Sequence, residues 1–289
     1  MGRSTSGSDS SSAGLDDELP ENDVSVDSFG LDRYEVTVGR FRKFVDAVVG
    51  GWQPAAGSGK HTHLSGGQIA GESGWDANWN SELFTDKNEW DSELSCNSIL
   101  QTWTFKAGSD ENKPQNCMNW FQAYAFCIWD GGFLPSEAEW EYAAAGGSEN
   151  RLYPWGQPEP NKTRAVYGCL SSGTLGCELA SLLVVGSTPL GKGMYGQMDL
   201  AGSLNEWNLD WYSETWYKYA NSSAVCKNCA NVSGETSLRV VRGGSFESNA
   251  LSLRSVSRRG FGPTADRYFV GVRCARTPLY TWDRGRHCL

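Results

Sequence analysis

No apolar run in the chain approaches the ~18 residues that a membrane-spanning helix needs. The opening residues, Met1-Gly2-Arg3 followed by Ser, Gly and Asp, hold no apolar signal core. Basic residues are in deficit, with 25 Lys and Arg against 34 Asp and Glu and a net charge of −9. A protein that neutralises phosphates needs a dense Lys/Arg surface, so nucleic acid is excluded as a partner. Anionic lipid is excluded for the same reason. Histidine is scarce: His61, His63 and His287 are the full complement, and none are spaced as a helical or finger-type ligand pair. His61-Thr62-His63 lies in a Gly-rich stretch that reads as a solvated loop.

Aromatic residues and glycine are plentiful, with 13 Trp, 11 Tyr, 11 Phe and 34 Gly. Such a composition points to an irregular domain whose core is built from rings and tight turns. Nine cysteines occur, at 96, 117, 127, 169, 177, 226, 229, 274 and 288. A zinc site wants two close Cys/His pairs, and only Cys226-Lys227-Asn228-Cys229 has that spacing. Disulfides are the expected use, with Cys169, Cys177, Cys226 and Cys229 among the bridging residues. That places the chain in an oxidising, extracytoplasmic compartment: periplasmic, cell-surface or secreted. The odd count leaves one thiol over, for which Cys288 is the expected residue.

Residues 1–23 are rich in Ser, Gly and acidic residues and poor in apolar ones, so a disordered tail or linker is expected there, with a single domain over 24–289. Phe29 to Val36 reads as a strand. Thr37 then caps a helix whose apolar positions Val38, Phe41, Phe44, Val45 and Val48 follow the i, i+3, i+4, i+7 pattern up to Gly50-Gly51. Residues 52–115 are polar, Trp-bearing and without periodicity. Asn119 caps a second helix to about Asp130, and Ser136 with Glu139 forms a capping box for a third that ends at Gly146-Gly147. Short strands and turns follow as far as Arg276.

Read together, several segments resemble the formylglycine-generating-enzyme, or sulfatase-modifying-factor, family. They are Asp32 to Thr37; Asn116-Cys117-Met118-Asn119-Trp120 through Cys127; Gly131 through Ala144; Tyr153-Pro154-Trp155-Gly156; Asp199 through Trp207; Arg242 through Phe246; and Gly271-Val272-Arg273-Cys274. They occur in family order across residues 24–276. The resemblance implies an α+β, elaborated C-type-lectin-like fold with little regular secondary structure. It also implies a Cys127–Cys274 disulfide, and a second family bridge lost at both ends, with Ala144 and Ser255 in its places.

Family chemistry uses two cysteine thiolates shortly after the Gly-Gly-Ser motif; they bind Cu(I), a soft ion that prefers sulfur. Here the corresponding positions are Ser248 and Leu253, and no cysteine lies between Cys229 and Cys274. Copper is therefore not expected. The resemblance further implies a calcium site formed by the Asp199 and Glu206 carboxylates and the carbonyls of Gly202 and Leu204, a hard-oxygen set suited to Ca²⁺. A second calcium site would use Asn161 and the Lys162 carbonyl. The groove residues implied are Ser245, Phe246, Glu247, Ser248, Arg258 and Phe269, with Phe269 where the family has an asparagine and Asn205 where it has a tryptophan.

Two functions follow. One is a non-catalytic or divergent member: a calcium-stabilised binding module taking a peptide, glycan or small molecule in a groove lined by aromatic rings, some drawn from the Trp residues of 52–103 and 207–216. The alternative is a divergent oxidoreductase, of formylglycine-generating or non-heme-iron type, acting on a thiol-containing substrate. Iron would call for a His cluster, for which only His61 and His63 are candidates. The first reading carries the expectation of no enzymatic activity.

Overall fold

A computed structural model describes residues 1–2, 15–169, 177–220, 226–234 and 236–278. The expected Cys288 thiol lies outside these residues. Strand pairing is short throughout. β1 (Val24–Ser25) and β2 (Gly30–Leu31) are two residues each. The strand expected over Phe29–Val36 is thus mostly lost, because its later residues bond singly: Asp32 N–H donates to the Cys274 carbonyl (2.9 Å) and Val36 N–H to the Val272 carbonyl (2.8 Å).

Helix α1 (Val38–Val49) begins where Thr37 Oγ1 accepts from the Arg40 N–H, and it buries the five predicted apolar positions. Segment 52–115 is more ordered than its lack of periodicity suggests. It carries α2 (Lys87–Glu93), capped by Asp86, and its Trp75, Trp90 and Trp103 are buried core residues. Trp90 meets Phe41 and Phe44 edge-on, at ring-centre distances of 6.0 and 5.8 Å. Ring packing supplies the order that sequence periodicity could not signal.

Helices α3 (Trp120–Trp129) and α4 (Glu137–Ala145) each start with a complete capping box, Asn119 with Gln122 and Ser136 with Glu139. α4 stops at Gly146 in the left-handed region, φ 70°. These helices pack near the largest sheet. Its strands are β3 (Asn205–Trp211), β5 (Arg239–Arg242), β6 (Arg258–Phe261) and β7 (Val270–Gly271), in the order β6-β5-β3-β7. β5 is antiparallel to both β3 and β6, whereas β7 runs parallel to β3. Trp120 Nε1–H bonds the Asn208 carbonyl at 2.8 Å, tying α3 to the sheet. The remaining elements are α5 (Trp216–Ala220), β4 (Cys226–Lys227), parallel to β1, and β8 (Ala275–Arg276), antiparallel to β2. Mixed helices and short strands give the expected α+β class.

Among the described residues four disulfides are formed: Cys96–Cys117, Cys127–Cys274, Cys169–Cys177 and Cys226–Cys229. The pair implied by the family resemblance, Cys127–Cys274, is among them. Cys96–Cys117 was not anticipated, because nothing in the sequence brings those residues together before the core forms.

Residues 1–2 and 15–23 of the stretch read as a polar tail are among the described residues. Within residues 15–23, Asp17, Glu18 and Asn22 are buried, Glu18 is ion-paired to Arg254 at 2.6 Å, and the Gly2 N–H donates to Glu141 at 2.6 Å. Buried ionic partners elsewhere in the fold order a stretch whose own composition is too polar to do so.

Candidate functional site

Gly243 and Gly244, at φ 93° and 70°, turn the chain sharply after β5. A Cβ on Gly244 would come within 2.7 Å of the Ser252 carbonyl, so glycine is required there. The turn delivers Ser245. Its N–H donates to Ser248 Oγ at 2.9 Å, and the two hydroxyls lie 3.4 Å apart. They border a cavity of about 410 Å³ that Glu247, Asn205, Arg259 and Phe269 also line. Tyr268 donates to Glu247 at 2.8 Å; burial and that carboxylate push the Tyr268 phenol up to about 12.

Of the expected groove residues, Ser245, Glu247, Ser248 and Phe269 meet at this cavity. Two do not. Phe246 is buried in a small apolar cluster with Leu100, Leu182 and Leu204. Arg258 points its guanidinium into the interior, where Nε and Nη2 each lie 2.7 Å from the Glu137 carboxylate. Alternation along β6 places Arg259 at the cavity instead. The aromatic character expected of the groove is reduced to Phe269, since Trp75, Trp90, Trp103 and Trp207 are core. Leu253, the second position where the family resemblance implies a thiolate, is buried against Tyr153, Ala165 and Ala201.

The expected calcium segment lies beside this turn, the Gly202 N–H donating to the Gly243 carbonyl at 2.9 Å. Asp199, Gly202 and Ser203 all have left-handed backbones, φ 60°, 81° and 62°. A Cβ at Gly202 would sit 2.3 Å from the Val166 carbonyl. Glu206 is buried, and both its oxygens are held by Arg273, at 2.6 and 2.7 Å, with Trp140 Nε1–H adding a third bond at 2.7 Å. A further carboxylate, unassigned by sequence reasoning, joins them. Glu35 accepts from Ser203 Oγ at 2.8 Å and from the Leu204 N–H at 2.9 Å. Burial, with Asp199 and Glu206 nearby, pushes the Glu35 carboxyl well up, and burial also raises that of Asp199.

Three carboxylates thus share one guanidinium, a surplus of negative charge that fits a hard divalent cation. Among the described residues no three Asp, Glu, His or Cys side chains are grouped to hold a metal by themselves, so carbonyl oxygens would have to complete the set. Asn161, expected at a second calcium site, lies on a separate loop. Its side-chain oxygen closes an exposed turn onto Thr163, accepting at 3.0 and 2.6 Å.

The model of the sulfatase-modifying factor enzyme 1-like domain matches residues 1–278 of the chain. The protein belongs to that family. Formylglycine-generating enzyme of Mus musculus is 29% identical over 306 residues, covering 96% of this chain and 74% of the mouse protein. Inactive C-alpha-formylglycine-generating enzyme 2 of Bos taurus is 28% identical over 304 residues, covering 95% and 85%. Among solved structures, PvdO from Pseudomonas aeruginosa is similar in fold, with a TM-score of 0.59 at 19% identity, covering 96% of this chain and 89% of that one.

Within this family fold, the His61-Thr62-His63 stretch is not the solvated loop its glycines suggest. His61 is fully buried, with Nδ1 2.7 Å from Glu72 and Nε2 3.1 Å from Glu139. Burial opposes its charge, but Glu139 and Glu72 outweigh it and raise the imidazole to about 10. His63 stacks on Phe133 at 4.9 Å. Glu139, legible only as a capping residue, is also the counter-ion of a buried imidazolium. Cys226 and Cys229 are joined to each other and line none of the cavity beside Ser245.

Proposed function

We propose that this family member is a divergent, non-catalytic binding module. It would be stabilised by calcium and take a peptide, glycan or small molecule in the cavity beside Ser245. The observation that carries the reading is the pair of positions after the Gly-Gly turn. Ser248 offers a hydroxyl and Leu253 a buried alkyl group where copper chemistry needs two thiolates. A hydroxyl is a hard ligand, protonated at neutral pH, and does not substitute for thiolate toward Cu(I). The remaining lining suits recognition: hydroxyls and an amide for hydrogen bonds, Arg259 and Glu247 for charges of either sign, and Phe269 for an apolar face. The similarity to inactive C-alpha-formylglycine-generating enzyme 2 of Bos taurus supports a member that binds without turnover.

Calcium would be held by the Asp199 carboxylate with the Gly202 and Leu204 carbonyls, while Glu35 and Glu206 add negative charge nearby. It would offset the surplus carboxylate charge and rigidify the loop against which the Gly-Gly turn is bonded. Four disulfides support an extracytoplasmic location. Among the described residues no helix is long and apolar enough to cross a membrane.

The test is a copper-loaded assay on a cysteine-containing sulfatase-motif peptide, followed by mass spectrometry, with calorimetry of the same peptide. The expected outcome is no formylglycine above the free-copper background. Any peptide heat seen should weaken in Arg259→Glu and Phe269→Ala. Turnover above background would overturn the reading.

A further inference from the structure

The CxxC motif takes no part in the site beside Ser245. Cys226 and Cys229 are bridged three residues apart, and a loop that short removes little entropy from the unfolded chain. The segment is also held without the bridge. Cys226 N–H donates to the Asp23 carbonyl at 3.1 Å and Asn228 N–H to that of Ser25 at 2.8 Å. The Asn228 side chain exchanges two hydrogen bonds with Asp27, at 2.7 and 2.9 Å. Lys227 Nζ donates to Ser65 Oγ at 2.7 Å. A purely structural role therefore explains little of this disulfide.

Its surroundings differ from those of the other bridges. Cys117, Cys127 and Cys274 are fully buried; Cys96, Cys169 and Cys177 are partly exposed, but Cys96 is bridged to buried Cys117 and the Cys169–Cys177 pair packs against the Leu204–Phe246 cluster. Cys226 and Cys229 are partly exposed and belong to no apolar cluster among the described residues. Cys229 borders an open cavity of about 620 Å³, larger than the one beside Ser245. Its lining combines apolar Ile69, Val232 and Trp216 with Ser65 and Lys227. Exposed disulfides are the labile and exchanging ones.

We infer that Cys226–Cys229 is a thiol–disulfide exchange site for peptide dithiols that carry a large apolar side chain beside a cysteine. A substrate thiolate entering the cavity attacks Sγ of Cys229, the sulfur that borders it. The new S–S bond forms as the Cys229–Cys226 bond breaks, and its electron pair leaves on Cys226 as a thiolate. The second substrate thiolate attacks the substrate sulfur of the mixed disulfide and expels Cys229. The peptide loses two electrons and two protons and becomes a disulfide. The protein bridge gains the two electrons and becomes a dithiol, its protons supplied through solvent. Trp216, Ile69 and Val232 supply the preference for an apolar neighbour.

The test uses the full oxidised chain and two short dithiol peptides, one with Phe beside a cysteine and one with Gly there. Oxidised peptide is followed by chromatography and protein thiols by alkylation and mass spectrometry. The expected result is one equivalent of peptide disulfide per protein, with new thiols confined to Cys226 and Cys229. The Phe peptide should react roughly tenfold faster than the Gly peptide, and Trp216→Ala should erase that difference. In Cys226→Ser, the oxidised Phe peptide should be captured as a mixed disulfide on Cys229. The inference is overturned if the bridge survives both peptides, if the other disulfides open alongside it, or if the two peptides react alike. Unfolding of the Cys226→Ser/Cys229→Ser variant would make the bridge structural and overturn it equally.

Discussion

The Ser255 hydroxyl donates to the Ala144 carbonyl at 3.1 Å, across 111 positions of sequence. These are the two positions at which the family resemblance implies a missing disulfide. Both side chains are buried, so a hydrogen bond now stands where a covalent link would fit. Ser255→Ala should cost about 1 kcal/mol, seen as a lower urea midpoint at unchanged slope. Ala144→Cys/Ser255→Cys should close a bridge, detected as the loss of two hydrogens by intact mass. A loop of that length contributes up to about 4 kcal/mol. A double variant that keeps two free thiols under oxidising conditions would show that the backbones do not approach as described.

Buried His61 makes stability fall at alkaline pH. Its imidazole is raised from an ordinary 6.5 to about 10 by Glu139 and Glu72, against the cost of burial. The contribution is therefore fully present below about pH 6.5 and is lost as pH rises through about 10. His61→Gln should be less stable than wild type by on the order of a few kcal/mol at pH 6, and the gap should narrow by pH 10. Denaturation midpoints across that range decide it; a gap that stays constant with pH would mean the ring acts by packing alone.

Neighbouring arginines on β6 should behave oppositely. Arg258 forms a buried fork with Glu137, and removing it leaves that buried carboxylate the longer ion pair to Arg242 at 3.6 Å. Arg258→Met is expected to cost about 3–5 kcal/mol. Arg259 is exposed, and Arg259→Ala should stay within about 0.5 kcal/mol of wild type. Equal effects in chemical denaturation would contradict the β6 register.

Calcium removal tests the carboxylate cluster. A ligand at a hundred times its dissociation constant stabilises by about 2.7 kcal/mol, so chelation should lower the melting temperature by about 5 °C. Glu35→Gln should shrink that calcium-dependent increment, because Glu35 is one of three carboxylates around Arg273. A melting temperature indifferent to chelator would remove calcium from the proposal.

The amino-acid sequence by itself determined the local structure and the family. Thr37, Asn119 and Ser136 cap the helices they were expected to cap, because capping depends on residues within one turn. The ordered series of motifs from Asp32 to Cys274 identifies the fold, and no cysteine occurs between the Gly-Gly turn and Cys274. Tertiary structure alone decided which side chains meet. Glu35 joins Asp199 and Glu206 from far away in sequence, His61 is clamped between Glu72 and Glu139, and Cys96 finds Cys117. It also decided that Arg259, not Arg258, reaches the cavity, and that the tryptophans of 52–103 mostly serve the core. The physical reason is range: caps and turns are set by neighbouring atoms, whereas burial and charge pairing depend on segments that only packing brings together.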